Sequence, residues 1–169
     1  MKTEHFDTVV IGSGPGGEGA AMRISKSGKR VCIIEKHSQV GGSSTHLGTI
    51  PSKSLRHSIQ SVMDFRNDPF FANAAMQNHV SYLQLLNRAK EIISDQVVLR
   101  MRHYQRNRVP IYRGTARFVD ENTLQIEQAD TQSITLSFDH AVIATGSRPY
   151  HPDDVDFSQP NIVDADGIL

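Results

Sequence analysis

The stretch "VVIGSGPGGEGAA", residues 9–21, decides the fold of this 169-residue chain. Three glycines, Gly12, Gly14 and Gly17, are spaced as G-x-G-x-x-G between an apolar run and an alanine-rich segment. The apolar run at 6–12 predicts a buried parallel strand, and the residues after the glycines predict a helix that ends at Gly28. A second apolar run, "RVCIIE" at 30–35, predicts the next strand and completes a βαβ unit.

In a turn that binds a dinucleotide, each of the three positions requires glycine for a different physical reason. Gly12 permits the tight turn, Gly14 lets the backbone approach a pyrophosphate, and Gly17 allows close packing of helix on strand. The free N–H groups and the dipole at the helix N-terminus favour the negative charge of the phosphates. Glu35, at the end of the second strand, is placed to bind an adenosine ribose and would repel a 2′-phosphate. The pattern therefore predicts FAD or NAD here, rather than NADP.

Other nucleotide and nucleophile chemistries fit the sequence less well. The glycine turn lacks the Gly-Lys-Ser/Thr of a P-loop, which argues against ATP hydrolysis. His46 and His57, eleven positions apart and without a cysteine or carboxylate cluster, make a poor metal site, so we expect no metal. Ser44-Thr45-His46 lacks the strained turn and the orienting acid of a hydrolase nucleophile.

The rest of the chain predicts an α/β fold with a small antiparallel part. We expect a loop at 36–50, a helix from Pro51 to about Phe65, a loop at 67–78 and a long helix at 81–106. A strand at 109–114 precedes an antiparallel meander that runs to Phe138, with turns at "DENT" and "QADTQS". A further buried strand is expected at 140–146, followed by a loop that is rich in proline. Nothing in the last twenty residues completes a fold, so we expect an incomplete domain.

Composition limits the classes of binding partner and the cellular compartment that we expect. Eighteen basic and eighteen acidic side chains give a formal net charge of zero, which argues against binding to nucleic acid or to an anionic membrane. No apolar run approaches the length of a membrane span, and the N-terminus lacks the features of a signal peptide. We therefore expect a cytoplasmic protein. The single cysteine, Cys32, lies in an apolar run and is expected to be an inert buried residue.

Four motifs follow one another along the chain: "GSGPGGEGAA" at 12–21, "GGSSTHLGTIPSK" at 41–53, "GTARFVD" at 114–120 and "ATGSRP" at 144–149. In this order they resemble the pyridine nucleotide–disulfide oxidoreductases, which are FAD enzymes. The resemblance covers the whole chain but only the N-terminal part of such an enzyme. It implies that residues 1–169 are the N-terminal part of a three-layer, Rossmann-like FAD-binding domain. The NAD(P)-binding and dimerisation domains of the family are absent from it.

The resemblance implies roles for individual residues. Glu35 and Lys36 would contact the adenosine side, Thr49 would lie beside the flavin ring, and Lys53 would direct its ammonium to the flavin edge. Thr49 and Lys53 are the candidate catalytic residues. The expected cofactor-binding residues are Gly12, Gly14, Gly17, Glu35, Lys36, Gly41, Gly42, Ser43, Ser44, Lys53, Gly114, Thr115, Ala116, Thr145 and Gly146.

The segment at 41–53 departs from the family pattern at one decisive point. The two positions that carry the redox cysteines in the family are Ser44 and Thr49 here, and hydroxyls cannot accept electrons as a dithiol does. A flavin in this site would exchange hydride only with nicotinamide nucleotides. The resemblance thus implies FAD-dependent hydride transfer between NADPH and NAD⁺, by a full-length protein that is a homo-oligomer. Two alternatives stay open: a non-catalytic FAD-binding fragment, or another thiol-free flavin oxidoreductase of the diaphorase type.

Overall fold

The computed structural model describes residues 3–71, 79–129 and 133–167. The helices are α1 (Pro15–Lys26), α2 (Gly42–His46), α3 (Ile50–Asn67) and α4 (Tyr82–Arg106). The strands are β1 (Glu4–Ile11), β2 (Val31–Glu35), β3 (Ile111–Arg113), β4 (Thr115–Phe118), β5 (Thr123–Glu127) and β6 (Ser133–Ile143). The chain divides into two compact units, Met1–Ser43 with Val97–Ser147 and Ser44–Gln96 with Arg148–Leu169. Within the described ranges, no helix is both long enough and apolar enough to cross a bilayer.

The first unit contains one mixed sheet with the strand order β3-β2-β1-β6-β5-β4. The four strands β3, β2, β1 and β6 are parallel, and β5 and β4 continue the same sheet in antiparallel fashion. Strand β2 is buried along its whole length, which is why it is a continuous apolar run without alternation. The predicted parallel sheet and antiparallel meander are both confirmed.

The alternation of side chains along the central strands divides the core of the first unit into two layers. On one face of the sheet, Val10 and Ile33 pack with Ala21 of α1 and Tyr104 of α4. The opposite face is covered by the meander, which folds back over the parallel strands. There Val9, Phe6, Cys32 and Ile34 pack against Leu124, Ile126, Leu136 and Phe138. Helices, sheet and meander form the three layers that the sequence predicts.

Helix α1 has the boundaries that its sequence predicts. Pro15 occupies the first turn, where its missing N–H costs nothing. Gly28 adopts a φ of +81° just beyond the last turn, and its N–H donates to the carbonyl oxygen of Ser25. A left-handed glycine at this position ends the helix and accounts for the short connection into β2.

Two predictions of secondary structure are wrong. The expected loop at 36–50 contains the short helix α2, because Ser43, Ser44 and Thr45 enter a single helical turn instead of bonding their own loop backbone. The expected separate strands before and after Asp139 are one strand, β6, which ends at Ile143 rather than at Gly146. This strand changes partners along its length: residues Ser133–Ser137 pair with β5, and Leu136–Ile143 pair with β1.

The second unit is built around α3 and the first part of α4. Helix α3 begins at Ile50, with Pro51 in its first turn, and runs two residues beyond the predicted end at Phe65. In the last turn of α3, the ring of Phe65 stacks on the ring of Phe71, which lies beyond the helix, with centroids 5.2 Å apart. In the C-terminal loop of this unit, His151 lies 2.7 Å from the carboxylate of Asp164. Most of the expected loop at 67–78 and half of the turn at 128–133 lie outside the described residues.

Candidate dinucleotide-binding site

Gly12 and Gly17 are required by the packing of the chain itself. Gly12 has a φ of +103°, and a Cβ atom there would overlap the carbonyl oxygen of Ala144. At Gly17 a Cβ atom would overlap the carbonyl oxygen of Gly12 and would lie 3.3 Å from Cγ1 of Val10. The turn between β1 and α1 is therefore closed by direct backbone contact, which leaves no room for a side chain at either position.

Gly14 differs from these two glycines, because the described residues give no reason for its lack of a side chain. Its backbone is extended, with φ −67° and ψ 179°, which any residue adopts. The nearest atom to an added Cβ would be Cα of Gly42, at an ordinary contact distance of 3.9 Å. Gly14 is the N-cap of α1, and no side chain caps that helix. The open space thus lies at a helix N-terminus, where an anion is favoured.

Glu35 lies at the carboxyl end of β2, beside the glycine turn, and only 4% of its surface is exposed. One carboxylate oxygen, Oε2, accepts hydrogen bonds from the backbone N–H of Ser13 at 3.0 Å and from the Ser13 hydroxyl at 2.5 Å. The other oxygen, Oε1, accepts the backbone N–H of His37 at 2.9 Å. The carboxylate is thereby held in one orientation at the edge of the sheet where the turn lies.

These donors control the ionisation of Glu35. Burial is the largest single influence and opposes the charged form, but the hydrogen bonds from Ser13 and His37 together outweigh it. The net effect is that the pKa of the Glu35 carboxyl is lowered from its ordinary value. Glu35 is therefore a carboxylate at neutral pH, as binding of ribose hydroxyls and rejection of a 2′-phosphate require.

The loop after β2 joins the turn through backbone contacts. The N–H of Gly41 donates to the Ser13 hydroxyl at 3.0 Å. Gly42 has a φ of +60°, and a Cβ atom there would approach Cα of Gly14 to 2.8 Å. Ser43, the next residue, is exposed. The structure thus brings the predicted residues Gly41 and Gly42 against the glycine turn.

Two other predicted segments end at the same edge of the sheet. The N–H of Gly114 donates to the main-chain oxygen of Glu35 at 3.0 Å, and the N–H of Ala144 donates to that of Ile11 at 2.9 Å. Gly114 has a φ of +144° and packs on the carbonyl of Glu127. Their neighbours in the motifs have different exposures: Thr115, Thr145, Gly146 and Lys36 are exposed, and Ala116 is half-buried against the core.

The predicted residues that concern a flavin ring lie in the second unit. Ser44 is a half-buried residue of α2, Thr49 is the exposed N-cap of α3, and Lys53 is exposed in the first turn of α3. The only thiol of the chain is Cys32 in β2, where burial raises its pKa to about 12. Cys32 is therefore protonated at physiological pH and cannot act as a redox thiol.

Sequence reasoning missed the central residue of this geometry, Ser13. It occupies a variable position of the glycine motif, is completely buried, and bonds to both Glu35 and Gly41. The register of β1 and β2 is the observation that indicates this contact. Ile11 pairs with Ile34, so the residues just after Ile11 lie beside Glu35, which directly follows Ile34. Two buried hydroxyls of the second unit, those of Thr45 and Ser54, were also missed; neither has a hydrogen-bond partner among the described residues.

A βαβ unit with a glycine turn, a free helix N-terminus and an ionised acid at the end of β2 defines a Rossmann-type dinucleotide-binding domain. Residues 6–166 match the family model described as "Pyridine nucleotide-disulphide oxidoreductase". The chain belongs to this family, as its motifs predict.

Curated relatives cover nearly the whole chain. The soluble pyridine nucleotide transhydrogenase of Vibrio cholerae is 51% identical over 165 residues, which are 98% of this chain and 35% of the relative. The soluble pyridine nucleotide transhydrogenase of Salmonella gallinarum is 49% identical over 164 residues, 97% of this chain and 35% of the relative. The chain thus spans about a third of the length of the curated relatives that it matches.

Solved structures confirm the fold. The HOCl-induced flavoprotein disulfide reductase RclA of Escherichia coli, as the Cu(II) complex of its C43S mutant, superposes with a TM-score of 0.79. That match covers 98% of this chain and 34% of the RclA chain at 21% identity. A structure of RclA that is described neither as the C43S mutant nor as a Cu(II) complex gives a TM-score of 0.76 at 22% identity and covers 96% of this chain and 33% of RclA.

Proposed function

We propose that this chain is the FAD-binding N-terminal part of a flavoenzyme that transfers hydride between NADPH and NAD⁺. The observation that carries the proposal is the identity of about half of the aligned residues, across nearly the whole chain, with proteins named soluble pyridine nucleotide transhydrogenase. The segment at 41–53 supports it independently, because no residue there is a cysteine.

The geometry of the first unit fits the adenosine diphosphate half of FAD. At Gly14 an added Cβ would meet no atom nearer than Cα of Gly42 at 3.9 Å, so a pyrophosphate could approach the backbone there, and the N-terminus of α1 supplies N–H groups and a favourable dipole. Glu35 offers an ionised acceptor to the ribose hydroxyls. Gly12, Gly17, Gly41, Gly42, Ser43, Gly114, Thr115, Ala116, Thr145, Gly146 and Lys36 complete the proposed binding set.

The residues of the second unit fit a flavin that works without a dithiol. When bound, the flavin supplies the two-electron hydride chemistry that no protein side chain provides. The hydroxyls of Ser44 and Thr49 cannot pass electrons on to a disulfide substrate, and the Cys32 thiol is buried and protonated. Lys53 supplies a positive charge that would stabilise an anionic reduced cofactor. Thr49 and Lys53 are therefore the proposed catalytic residues.

The proposal includes the partners and the compartment. The substrates are the nicotinamide nucleotides, which would bind the parts of the enzyme that the relatives have beyond this chain. We propose a homo-oligomeric, cytoplasmic enzyme that has no nucleic-acid or membrane partner, in keeping with its zero formal net charge.

The direct test uses the intact gene product, supplied with NADPH and a thionicotinamide analogue of NAD⁺. We expect reduction of the analogue to be faster than reduction of any disulfide substrate or dye. Dye reduction without exchange between nucleotides would instead identify a diaphorase. Faster reduction of a disulfide would contradict the thiol-free mechanism.

The visible spectrum of the purified chain tests the binding part of the proposal separately. Flavin absorption that persists through gel filtration is the expected result. NADPH should not bleach the flavin absorption of this chain by itself. If the intact gene product nevertheless exchanges hydride between the nucleotides, the nicotinamide nucleotides bind to the remaining part of the enzyme.

A further inference from the structure

Ser13 has a more specific place in the site than the glycine motif assigns to it. It lies between Gly12 and Gly14, and none of its surface is exposed. Its hydroxyl donates to Oε2 of Glu35 and accepts the N–H of Gly41, so that both functions of the hydroxyl are used. A buried hydroxyl with both functions satisfied fixes the groups on either side of it.

The Ser13 hydroxyl occupies one of the hydrogen-bond acceptor sites of the Glu35 carboxylate. A carboxylate offers about four lone-pair sites, two on each oxygen. The N–H and the hydroxyl of Ser13 occupy both sites on Oε2, and the N–H of His37 occupies one site on Oε1. With respect to the described part of the chain, one acceptor site on Oε1 therefore remains for an external donor, in a direction that the other three bonds determine.

The charged and ionisable neighbours of Glu35 named here do not replace the hydrogen bond that the Ser13 hydroxyl donates to Oε2. His37, in the following loop, favours the charged form of Glu35 electrostatically. Tyr104 of α4 stays neutral, because burial raises its pKa. Arg113, the β3 residue in register with Glu35, donates its guanidinium to the main-chain oxygen of His37 at 2.9 Å. The Ser13 side chain is the donor that satisfies Oε2 together with the turn backbone.

We propose that Ser13 is a positioning residue, which orients the Glu35 carboxylate for the adenosine ribose and thereby sets the preference for a ribose without a 2′-phosphate. This inference rests on the proposed function, because the ribose belongs to FAD. Replacement by alanine would leave the backbone N–H bond in place but would remove one of the two donors on Oε2. The carboxylate would then be held by two backbone N–H groups instead of by three donors, and its pKa would rise as burial gains influence.

The test is a double-mutant cycle on the affinity of the purified chain for FAD, followed by flavin fluorescence. It compares wild type, Ser13→Ala, Glu35→Gln and the double variant. Thermal unfolding of each variant verifies that the chain is folded, and Ser27→Ala, an exposed serine that caps the end of α1, is the matched control. Competition by ADP-ribose and by its 2′-phosphate measures ribose selectivity.

If Ser13 acts through Glu35, Ser13→Ala should weaken FAD binding about tenfold, and less than about threefold once Glu35 is glutamine. The selectivity against the 2′-phosphate should fall, and the loss of affinity should begin at a higher pH than in wild type. An equal loss in both backgrounds, or no loss, would overturn the assignment of Ser13 alone. A wild-type chain that does not bind FAD would instead contradict the proposed function, and the inference with it.

Discussion

The glycine turn at Gly12–Gly17 and the segment Ser44–Lys53 are built in opposite ways. In the turn, the functional groups are buried and bonded to one another: Ser13 to Glu35, Ser13 to Gly41, and Gly17 against Gly12. In the second segment, Thr49 and Lys53 are exposed. The first region is constrained by its own packing, whereas Thr49 and Lys53 of the second are not held by packing.

This difference determines which positions can change without loss of folding. Gly12 and Gly17 cannot be replaced without rearrangement of the backbone, so the conformation of the turn is fixed by folding. Thr49 is exposed and Ser44 is half-buried, so neither position carries a comparable constraint. In the proposed function, Ser44 and Thr49 at the positions of two cysteines would close one route for electrons and leave the proposed nucleotide site intact.

The largest effect is expected for Gly12→Ala. The new Cβ would overlap the carbonyl oxygen of Ala144, at a φ of +103° that alanine disfavours. We expect the free energy of unfolding to fall by about 3 kcal/mol in urea titrations. Gly19→Ala, in open space on α1, is the control and should stabilise the chain by about 0.5–1 kcal/mol. Equal stabilities for the two variants would show that the turn is not under this constraint.

Gly14→Ala separates a requirement for folding from a requirement for binding. Because no described atom lies within 3.9 Å of the added Cβ, stability should fall by no more than about 1 kcal/mol. Affinity for FAD should fall about tenfold to a hundredfold, since the methyl group would occupy the space assigned to the pyrophosphate. Gly16→Ala, two residues further along in open space, should bind FAD as wild type does. Undiminished binding by Gly14→Ala would place the diphosphate elsewhere.

Glu35→Gln tests the electrostatics of the turn. An amide NH₂ would face an N–H donor, so we expect a loss of about 1–2 kcal/mol of stability at pH 7. Because the pKa of Glu35 is lowered on folding, its contribution is complete above the unfolded pKa of about 4.3 and is lost as the pH falls through the folded value.

The measurement for Glu35→Gln is the difference in unfolding free energy from wild type between pH 3 and pH 7. That difference should be constant above about pH 5 and should shrink at lower pH. Glu91→Gln, in an exposed pair with Arg88, is the control and should change stability by less than about 0.5 kcal/mol. A difference that grows on acidification would mean that folding raises the pKa of the Glu35 carboxyl instead of lowering it.

The smallest effect on stability is expected at Lys53. Its side chain is exposed, so Lys53→Met should unfold within about 0.5 kcal/mol of wild type. Hydride exchange by the intact gene product should nevertheless fall about tenfold or more, because a positive charge beside the reduced cofactor is lost. Lys90→Met, an exposed lysine of α4, should leave the rate unchanged. Equal rates for the two variants would remove Lys53 from the catalytic set.

The sequence predicts most of the first unit because the relevant information is local. The spacing of Gly12, Gly14 and Gly17 sets the turn, and the position of Gly28 sets the end of α1. Strand β6 is different, because its length depends on two partners that are distant in sequence, β5 and β1. The role of Ser13 is equally non-local, since its two partners belong to the end of β2 and to the loop after it.

The comparison between the two regions depends most directly on one claim: the first unit recognises the adenosine diphosphate half of FAD. The decisive measurement is the affinity of the purified chain for FAD and for FMN, which share the flavin ring but not the adenosine, with ADP as a competitor. We predict binding of FAD at least about a hundredfold tighter than that of FMN, a difference of about 2.7 kcal/mol, and displacement of FAD by ADP. Equal affinities for FAD and FMN, or no displacement by ADP, would contradict the account.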